Sequence, residues 1–292
     1  MVPLPPFTRH TTAMTKTAVI DIGSNSVRLM KVMDKSKTKV LKTTQLGRGL
    51  EKTGMLGKLE IEATIRAIEE FLSTLDGYSV YAFATEAVRA ASNGAQFTQA
   101  VRERTGLNVD VLSKSEEATA GFIGATKGNA LCTVIDIGGG STEFARGKAE
   151  VQDSVSIPIG AVRLTDMKND GIHTTKYVKS ILPEFVFAGK IIGIGGTVTS
   201  VASIMLDLVE YEPNKVDGYQ ITKQSLLNLE RKFSTLTPDE IFDIYPVVGR
   251  ARARVLYEGI KLLLLLMNTY GIESVTASDS DNTEGYLIMR KK

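Results

Sequence analysis

One cysteine, Cys132, stands among 292 residues, which excludes an internal disulfide and points to a reducing compartment. Its setting in the apolar run from Leu131 to Ile137 reads as strand core, not as a reactive thiol. Histidine is almost as scarce. His10 falls in the opening stretch and His173 in an expected surface loop, so a histidine nucleophile or metal cluster has little support. Charge of one sign is also lacking: 35 basic against 33 acidic residues leave a formal +2, no mark of a nucleic-acid or membrane binder, so an anionic ligand must be held by a local site. No apolar run approaches the ~20 residues that cross a bilayer. The longest, Leu262 to Met267, is bracketed by Lys261 and Asn268 and reads as a buried helix. Residues 1–16 hold Pro3, Pro5 and Pro6 but no stretch of the ~7–15 apolar residues of a secretory signal. They are expected to form a loose leader, with Met14 as an alternative start, and the protein is expected to be cytoplasmic.

What is present is enough apolar residue, 43%, for a large core, over a length that favours two domains. The segment Ala18-Val19-Ile20-Asp21-Ile22-Gly23-Ser24 returns as Thr133-Val134-Ile135-Asp136-Ile137-Gly138-Gly139, an offset of 136 − 21 = 115 positions. Each copy reads as strand, tight turn and antiparallel strand, and two copies imply two similar lobes. Between them, Ile61, Ile65, Ile68, Leu72 and Leu75 mark one face of a helix over Leu59 to Leu75. A strand near Val80 to Ala84, a helix from about Glu86 and a short strand near Val109 to Leu112 follow. Ser113 and Glu116 form a capping box that opens a further helix. The second half reads as a strand at Lys190 to Ile194, a helix after Thr197, a turn-rich segment at Glu212 to Tyr219 and a long helix near Ala251 to Tyr270. A last strand, Ser274 to Ala277, and a closing helix complete an α/β pattern of sheets covered by helices.

A glycine turn after a strand turns backbone N–H groups toward phosphate oxygens, and an Asp at the strand end can hold a divalent cation. Gly23-Ser24-Asn25 and Gly138-Gly139-Gly140-Ser141 are two such turns. A third motif, Gly193-Ile194-Gly195-Gly196-Thr197, opens a helix, where amides and dipole favour an anion. For any single glycine a plain tight turn is the competing reading. Seven positions after Asp136 comes Glu143, and seven after Asp21 comes Arg28. Superposed hairpins would offer a carboxylate pair for a metal on one side and a carboxylate with a guanidinium for phosphate on the other. The bland alternative for Arg28 is a surface strand residue. Arg250, Arg252 and Arg254 read mostly as a solvated helix face, with a basic rim for an anion as the sharper alternative.

The segments DIGSNSVRL (Asp21 to Leu29), FATEAVRAASN (Phe83 to Asn93), SEEA (Ser115 to Ala118), DIGGGSTEF (Asp136 to Phe144), GIGGT (Gly193 to Thr197) and SDSDNTEG (Ser278 to Gly285) stand in order. Together they resemble the exopolyphosphatase and guanosine-pentaphosphate phosphohydrolase family over about residues 16 to 288. The resemblance implies two actin-like, ribonuclease H-like lobes with mixed sheets and an active-site cleft between them. Lobe I would be 17–125 and lobe II 126–280, with the C-terminal helix at about 280–292 packing back on lobe I. It implies Glu117 as the base that activates water, where the residue alone would read as a solvated helix-start carboxylate. It implies Asp136 and Glu143 as ligands of Mg²⁺ or another divalent cation. The phosphate holders it implies are Arg28, Arg89, Gly139, Gly140 and Ser141, to which the glycine-turn reading adds Asp21, Ser24, Asn25, Gly138, Gly195, Gly196 and Thr197. Arg89, one helical turn past its strand, is expected to point into the cleft.

The implied activity is hydrolysis of terminal phosphate from inorganic polyphosphate, with guanosine pentaphosphate as the alternative substrate. A non-catalytic polyphosphate or nucleotide sensor and an actin-like ATPase or kinase are the rivals of another class. No nucleic-acid or membrane partner is expected, and a homodimer stays open. Two departures stand out: Val216-Asp217-Gly218 where many relatives read V-H-G, and Arg252-Ala253-Arg254 where they often read R-A-D. Longer relatives carry a further helical extension, which this chain is expected to lack.

Overall fold

The computed structural model describes residues 16–34, 36–126 and 130–291. The expected leader, apart from Lys16, and His10 within it lie outside the described residues. The first sheet contains β1 (Lys16–Ile22), β2 (Ser26–Met33), β3 (Ser36–Thr43), β4 (Ser79–Ala84) and β5 (Asp110–Val111). Their spatial order is β3-β2-β1-β4-β5, antiparallel up to β1 and parallel beyond it. The second sheet contains β6 (Cys132–Ile137), β7 (Thr142–Gly147), β8 (Val151–Ile157), β9 (Lys190–Ile194), β10 (Gln220–Thr222) and β11 (Ser274–Ala277). Its order is β10-β11-β9-β6-β7-β8. Read from the far edge, β8-β7-β6-β9-β11 repeats the first sheet's order and strand directions, with β10 added antiparallel at the end. The duplication seen in the sequence is therefore a duplication of a whole sheet, in the ribonuclease H-like order of an actin-like fold.

Helices fill the connections. Between β3 and β4 run α1 (Leu50–Thr53) and α2 (Lys58–Leu72); between β4 and β5, α3 (Glu86–Ala90) and α4 (Gly94–Thr105). Helix α5 (Lys114–Ala125) leads from the first sheet to the second. After β8 come α6 (Ala161–Asn169) and α7 (Thr174–Ile181), and after β9 come α8 (Gly195–Met205) and α9 (Pro213–Val216). Then α10 (Lys223–Phe233), α11 (Pro238–Ile244) and α12 (Arg250–Thr269) precede β11, and α13 (Asn282–Arg290) closes the chain. Among the described residues no helix is long and apolar enough to cross a membrane.

Three local differences from the sequence reading have plain causes. The helix expected from Glu86 breaks after Ala90, where Asn93 turns outward to exchange hydrogen bonds with the backbone of Leu56. Helix α2 ends at Leu72, yet Leu75 is still buried because two successive turns fold it back onto the core. Strands β3 and β8 escaped notice because they are half exposed and carry little alternation.

The core is divided much as the sheets are. Ile20, Ile22, Leu29, Ile65, Ile68 and Phe97 pack under the first sheet, and Ile135, Phe144, Val198, Leu256, Ile260 and Leu263 under the second. Helices α5 and α13 lie against each other between the two. Phe122 and Ala118 of α5 bury against Cys132, Val134 and Ile194, whereas Ala120, Tyr286 and Leu287 join Val19, Met30 and Phe83 of the first sheet. The first turn of α5 is thereby held where the two sheets meet.

Candidate active site

Both glycine hairpins close in the same way. Gly23 N–H donates to the Ser26 carbonyl and Gly138 N–H to the Ser141 carbonyl, each at 3.0 Å. Strand register pairs Asp21 with Arg28 and Asp136 with Glu143, directly across each hairpin. Both Asp residues stand at the carboxyl ends of parallel strands, the edge at which α/β sheets bind ligands. The turns are not merely on the same side: they touch. A Cβ on Gly139 would come within 2.8 Å of the Ser24 Cβ, and one on Gly140 within 2.9 Å of the Ser24 Oγ. Only glycine permits this approach.

A cleft of about 70 Å³ lies beneath the contact, lined from one side by Asp21, Ser24, Asn25 and Arg28 and from the other by Asp136, Gly138, Gly139, Gly140 and Ser141. The third glycine motif closes its floor. Gly195 has φ +87°, and a Cβ there would lie 2.7 Å from Asp136 Oδ1. The Asn25 side chain is buried in this wall, and neither its oxygen nor its nitrogen has a hydrogen-bond partner.

Buried charge dominates the electrostatics. Burial pushes the Asp21 carboxyl up to about 7 against the pull of Arg28, and that of Asp136 to about 6. Asn282 steadies Asp136 by donating to its Oδ2 at 2.9 Å. Glu143 is 2% exposed; burial first, then the charges of Glu117 and Asp136, push its carboxyl well above the usual range. Its Oε1 accepts from Ser156 at 2.7 Å, but Oε2 is buried without a partner. Glu117 is 5% exposed, and burial pushes its carboxyl to about 8 even though Arg89 donates to it at 2.8 Å. The solvated helix-start reading of Glu117 does not hold: Glu116 takes the cap, its carboxylate accepting from Ser113 N–H at 2.8 Å, and Glu117 faces inward.

Two expected phosphate holders are placed otherwise. Arg89 does not line the cleft: Nη1 donates to Glu117 and to the Leu112 carbonyl, and Nη2 to Glu86 at 2.7 Å. Two buried carboxylates need a cation there more than the cleft does. The Thr197 side chain, fully buried in the first turn of α8, packs on Gly259 of α12 and is likewise absent from the cleft wall. Glu143 stands just behind the wall formed by Asp136 and Ser141.

Among the lining residues given no role from the sequence are Glu86, Asp281 and Asn282, and Arg252, read mostly as part of a solvated face, lines the cleft with them. Arg28 forms an ion pair with Asp281, whose carboxyl, against the effect of burial, is held well below its usual range by Arg28 and Lys39. Arg252 corrects the solvated-face reading. Its guanidinium lies on the bare face of Gly196, and burial, aided by Arg28, lowers its pKa to about 10. Arg250 and Arg254 are exposed as expected. A usable signal for Glu86 was the repeat itself, since it follows β4 as the third glycine motif follows β9.

The sequence matches the model of the Ppx/GppA phosphatase family over residues 12–291. It is 27% identical over 310 residues to a bifunctional 3-dehydroquinate synthase/phosphatase of Fusobacterium nucleatum, covering 93% of this chain but only 46% of that protein. It is 25% identical over 316 residues to exopolyphosphatase 2 of Mycobacterium tuberculosis, covering 94% of this chain and 98% of the relative. Among solved structures, a Ppx/GppA family member from Aquifex aeolicus superposes with a TM-score of 0.77 at 28% identity, over 95% of this chain and 98% of its own. An exopolyphosphatase-like protein superposes with a TM-score of 0.85 at 25% identity, over 94% and 98%.

Proposed function

The chain belongs to the Ppx/GppA phosphatase family, and we propose that it is a phosphoanhydride hydrolase that releases terminal phosphate from inorganic polyphosphate by attack of water. The observation that carries this reading is the convergence on one cleft of two matched glycine turns, the aspartates at their strand ends, Arg28 and the buried Glu117. The turns with Ser24, Ser141 and the unpartnered Asn25 amide suit phosphate oxygens, and Arg28 on one wall and Arg252 against Gly196 of the floor supply positive charge.

A divalent cation, Mg²⁺ in the first instance, fits Asp136 and Glu143. The Glu143 oxygen buried without a partner and the repulsion between the two carboxylates support this assignment. No group of three or more His, Cys, Asp or Glu is placed to hold an ion among the described residues, so the pair would share it with substrate oxygens and water, the common arrangement for Mg²⁺. When bound, such an ion neutralises charge on the phosphate oxygens.

The protein's own groups do the rest. Glu117, with a carboxyl near 8, takes the proton of the attacking water, and a base poised near the working pH is the most effective kind. Arg89 fixes the orientation of that carboxylate. Arg28, held by Asp281, and Arg252 align the phosphate chain, and alignment with charge stabilisation supplies most of what phosphoryl transfer requires.

Phosphate release from polyphosphate, guanosine pentaphosphate and ATP, each with and without Mg²⁺, tests the proposal. Release from polyphosphate that depends on the cation supports it; release from ATP alone points to a kinase-like activity, and binding without release to a sensor. One observation favours guanosine pentaphosphate as a second reading. A neighbouring cavity of about 320 Å³ shares Arg28 and Arg252 with the cleft and is walled by Val40, Leu41, Val247 and Val248, a size and polarity that suit a nucleoside. Faster release from the pentaphosphate than from polyphosphate selects that reading.

A further inference from the structure

Among the described residues, Arg163 is a largely buried cation beside the cleft to which the chemistry above gives no task. Arg163 lies in the first turn of α6, where its own N–H and that of Val162 donate to the Gly139 carbonyl at 3.1 and 2.9 Å, so it is tied to the second glycine turn. Its side chain, 11% exposed, crosses to two carboxylates carried by helices of the first sheet: Nε stands 2.8 Å from Glu51 of α1, and Nη2 stands 3.3 Å from Glu86 of α3. Glu86 is divided between two guanidinium groups. Its Oε1 faces Arg163, its Oε2 accepts from Arg89 at 2.7 Å, and Arg89 in turn donates to Glu117 at 2.8 Å. Glu51, Arg163, Glu86, Arg89 and Glu117 thus alternate in charge along one chain of contacts that ends at the proposed base.

We infer that Arg163 is a positioning residue: docking with the second glycine turn, it engages one oxygen of Glu86 and so holds Arg89 and Glu117 in the geometry of attack. This rests on the hydrolase reading above. The physical reason is competition for a single cation. Without Arg163, the carboxylates of Glu86 and Glu117 contend for Arg89 alone, and a Glu86 with no other partner draws that guanidinium toward itself and away from the base. With Arg163 in place each Glu86 oxygen has its own donor, and buried groups so paired have one arrangement. The same contact joins the state of the base to the closeness of the two turns, because Glu86 also lies under Gly140, whose added Cβ would come within 3.0 Å of Glu86 Cγ.

The test is kinetic, with Arg163→Met, Glu86→Gln, the double variant and Glu51→Gln compared with wild type on polyphosphate and Mg²⁺, each with its melting temperature. Groups that orient a working residue typically matter ~10–100-fold, so Arg163→Met is expected to lower kcat by about that factor while KM stays nearly constant. The double variant should be no worse than the more impaired single variant, since both break one chain of contacts. Glu51 is 42% exposed, and Glu51→Gln should stay within about threefold of wild type, as partly exposed ion pairs contribute little. Arg163→Lys, with one donor group able to reach Glu86, should recover part of the lost kcat. An unchanged kcat in Arg163→Met, losses that multiply in the double variant, or a loss no larger in Glu86→Gln than in Glu51→Gln overturns the inference. Should Arg163→Met fail to fold, Glu86→Gln against Glu51→Gln decides the matter. Wild-type protein that releases no phosphate at all sinks the hydrolase reading itself, a different result from active wild type with indifferent variants.

Discussion

Replacing Glu117 by glutamine changes one heavy atom and separates the proposed catalytic role of the residue from what it costs the fold. Its carboxyl has an ordinary value of 4.5 and a folded value of about 8. The folded value is the higher one, so the group favours the folded state below its unfolded pKa and loses that contribution as pH rises through 8. At pH 7.5 the group is therefore expected to cost stability, by on the order of 2–4 kcal/mol, since each tenfold change in proton affinity is worth about 1.4 kcal/mol. Glutamine, neutral and still able to accept from Arg89, relieves this burden. The variant should melt several degrees above wild type in metal-free buffer, at roughly 2–4 °C per kcal/mol for a chain of this size. Turnover should fall ~10²–10⁴-fold, the usual effect of a missing general base, while the affinity for a polyphosphate chain stays close to wild type. Scanning calorimetry, phosphate release and titration calorimetry read the three quantities. Turnover near the wild-type rate would remove Glu117 from the mechanism, and a lower melting temperature would mean that its charge supports the fold.

Three further outcomes follow from the same geometry. Glu116→Ala, one residue away, should lower stability by about 1 kcal/mol through the lost capping box yet leave turnover within a few fold; a large catalytic loss would mean the two glutamates have been assigned the wrong way round. Because the carboxyls of Asp21, Asp136 and Glu117 are raised to about 7, 6 and 8, the stability they contribute is complete below about pH 4 and disappears as pH rises through those values. The metal-free protein should then melt progressively lower between pH 5 and 8.5 on their account, and millimolar Mg²⁺ should raise the midpoint more at the alkaline end, where the ligands are ionised; equal stabilisation at both ends contradicts the metal assignment. Gly140→Val should force the two turns apart, since its side chain would collide with Ser24 and Glu86, and turnover should drop at least ~10²-fold, as misplacement of about 1 Å can do; wild-type turnover would show that the turns need not touch.

Much of this was legible because it is local. A strand, an Asp and a glycine turn occupy one short stretch, and a capping box is complete within four residues, so Ser113 and Glu116 could be assigned by spacing alone. Arg252 could not. Arg250, Arg252 and Arg254 look alike along the sequence, but a helix turns about 100° per residue, and only the middle one points at Gly196. That contact depends on how α12 packs against α8, which no window of sequence contains. Arg89 failed for a related reason: its distance past the strand predicts a direction, but its actual partners come from α3 itself and from α5. Asp281 was hidden by having two tasks, capping α13 with one oxygen and holding Arg28 with the other.

The two hairpins share register and turn, and among their differences is the residue facing the aspartate across the strands, Arg28 in one and Glu143 in the other. Had the same architecture been assembled from two copies of a single shorter chain, any residue chosen there would have appeared on both walls, giving a groove with twin arginines or twin glutamates. Joining the copies in one polypeptide removes that constraint. Each side is then free to specialise, with Arg28 on one wall and a second carboxylate behind the other, and a slot polarised in this way suits the end-directed hydrolysis proposed above.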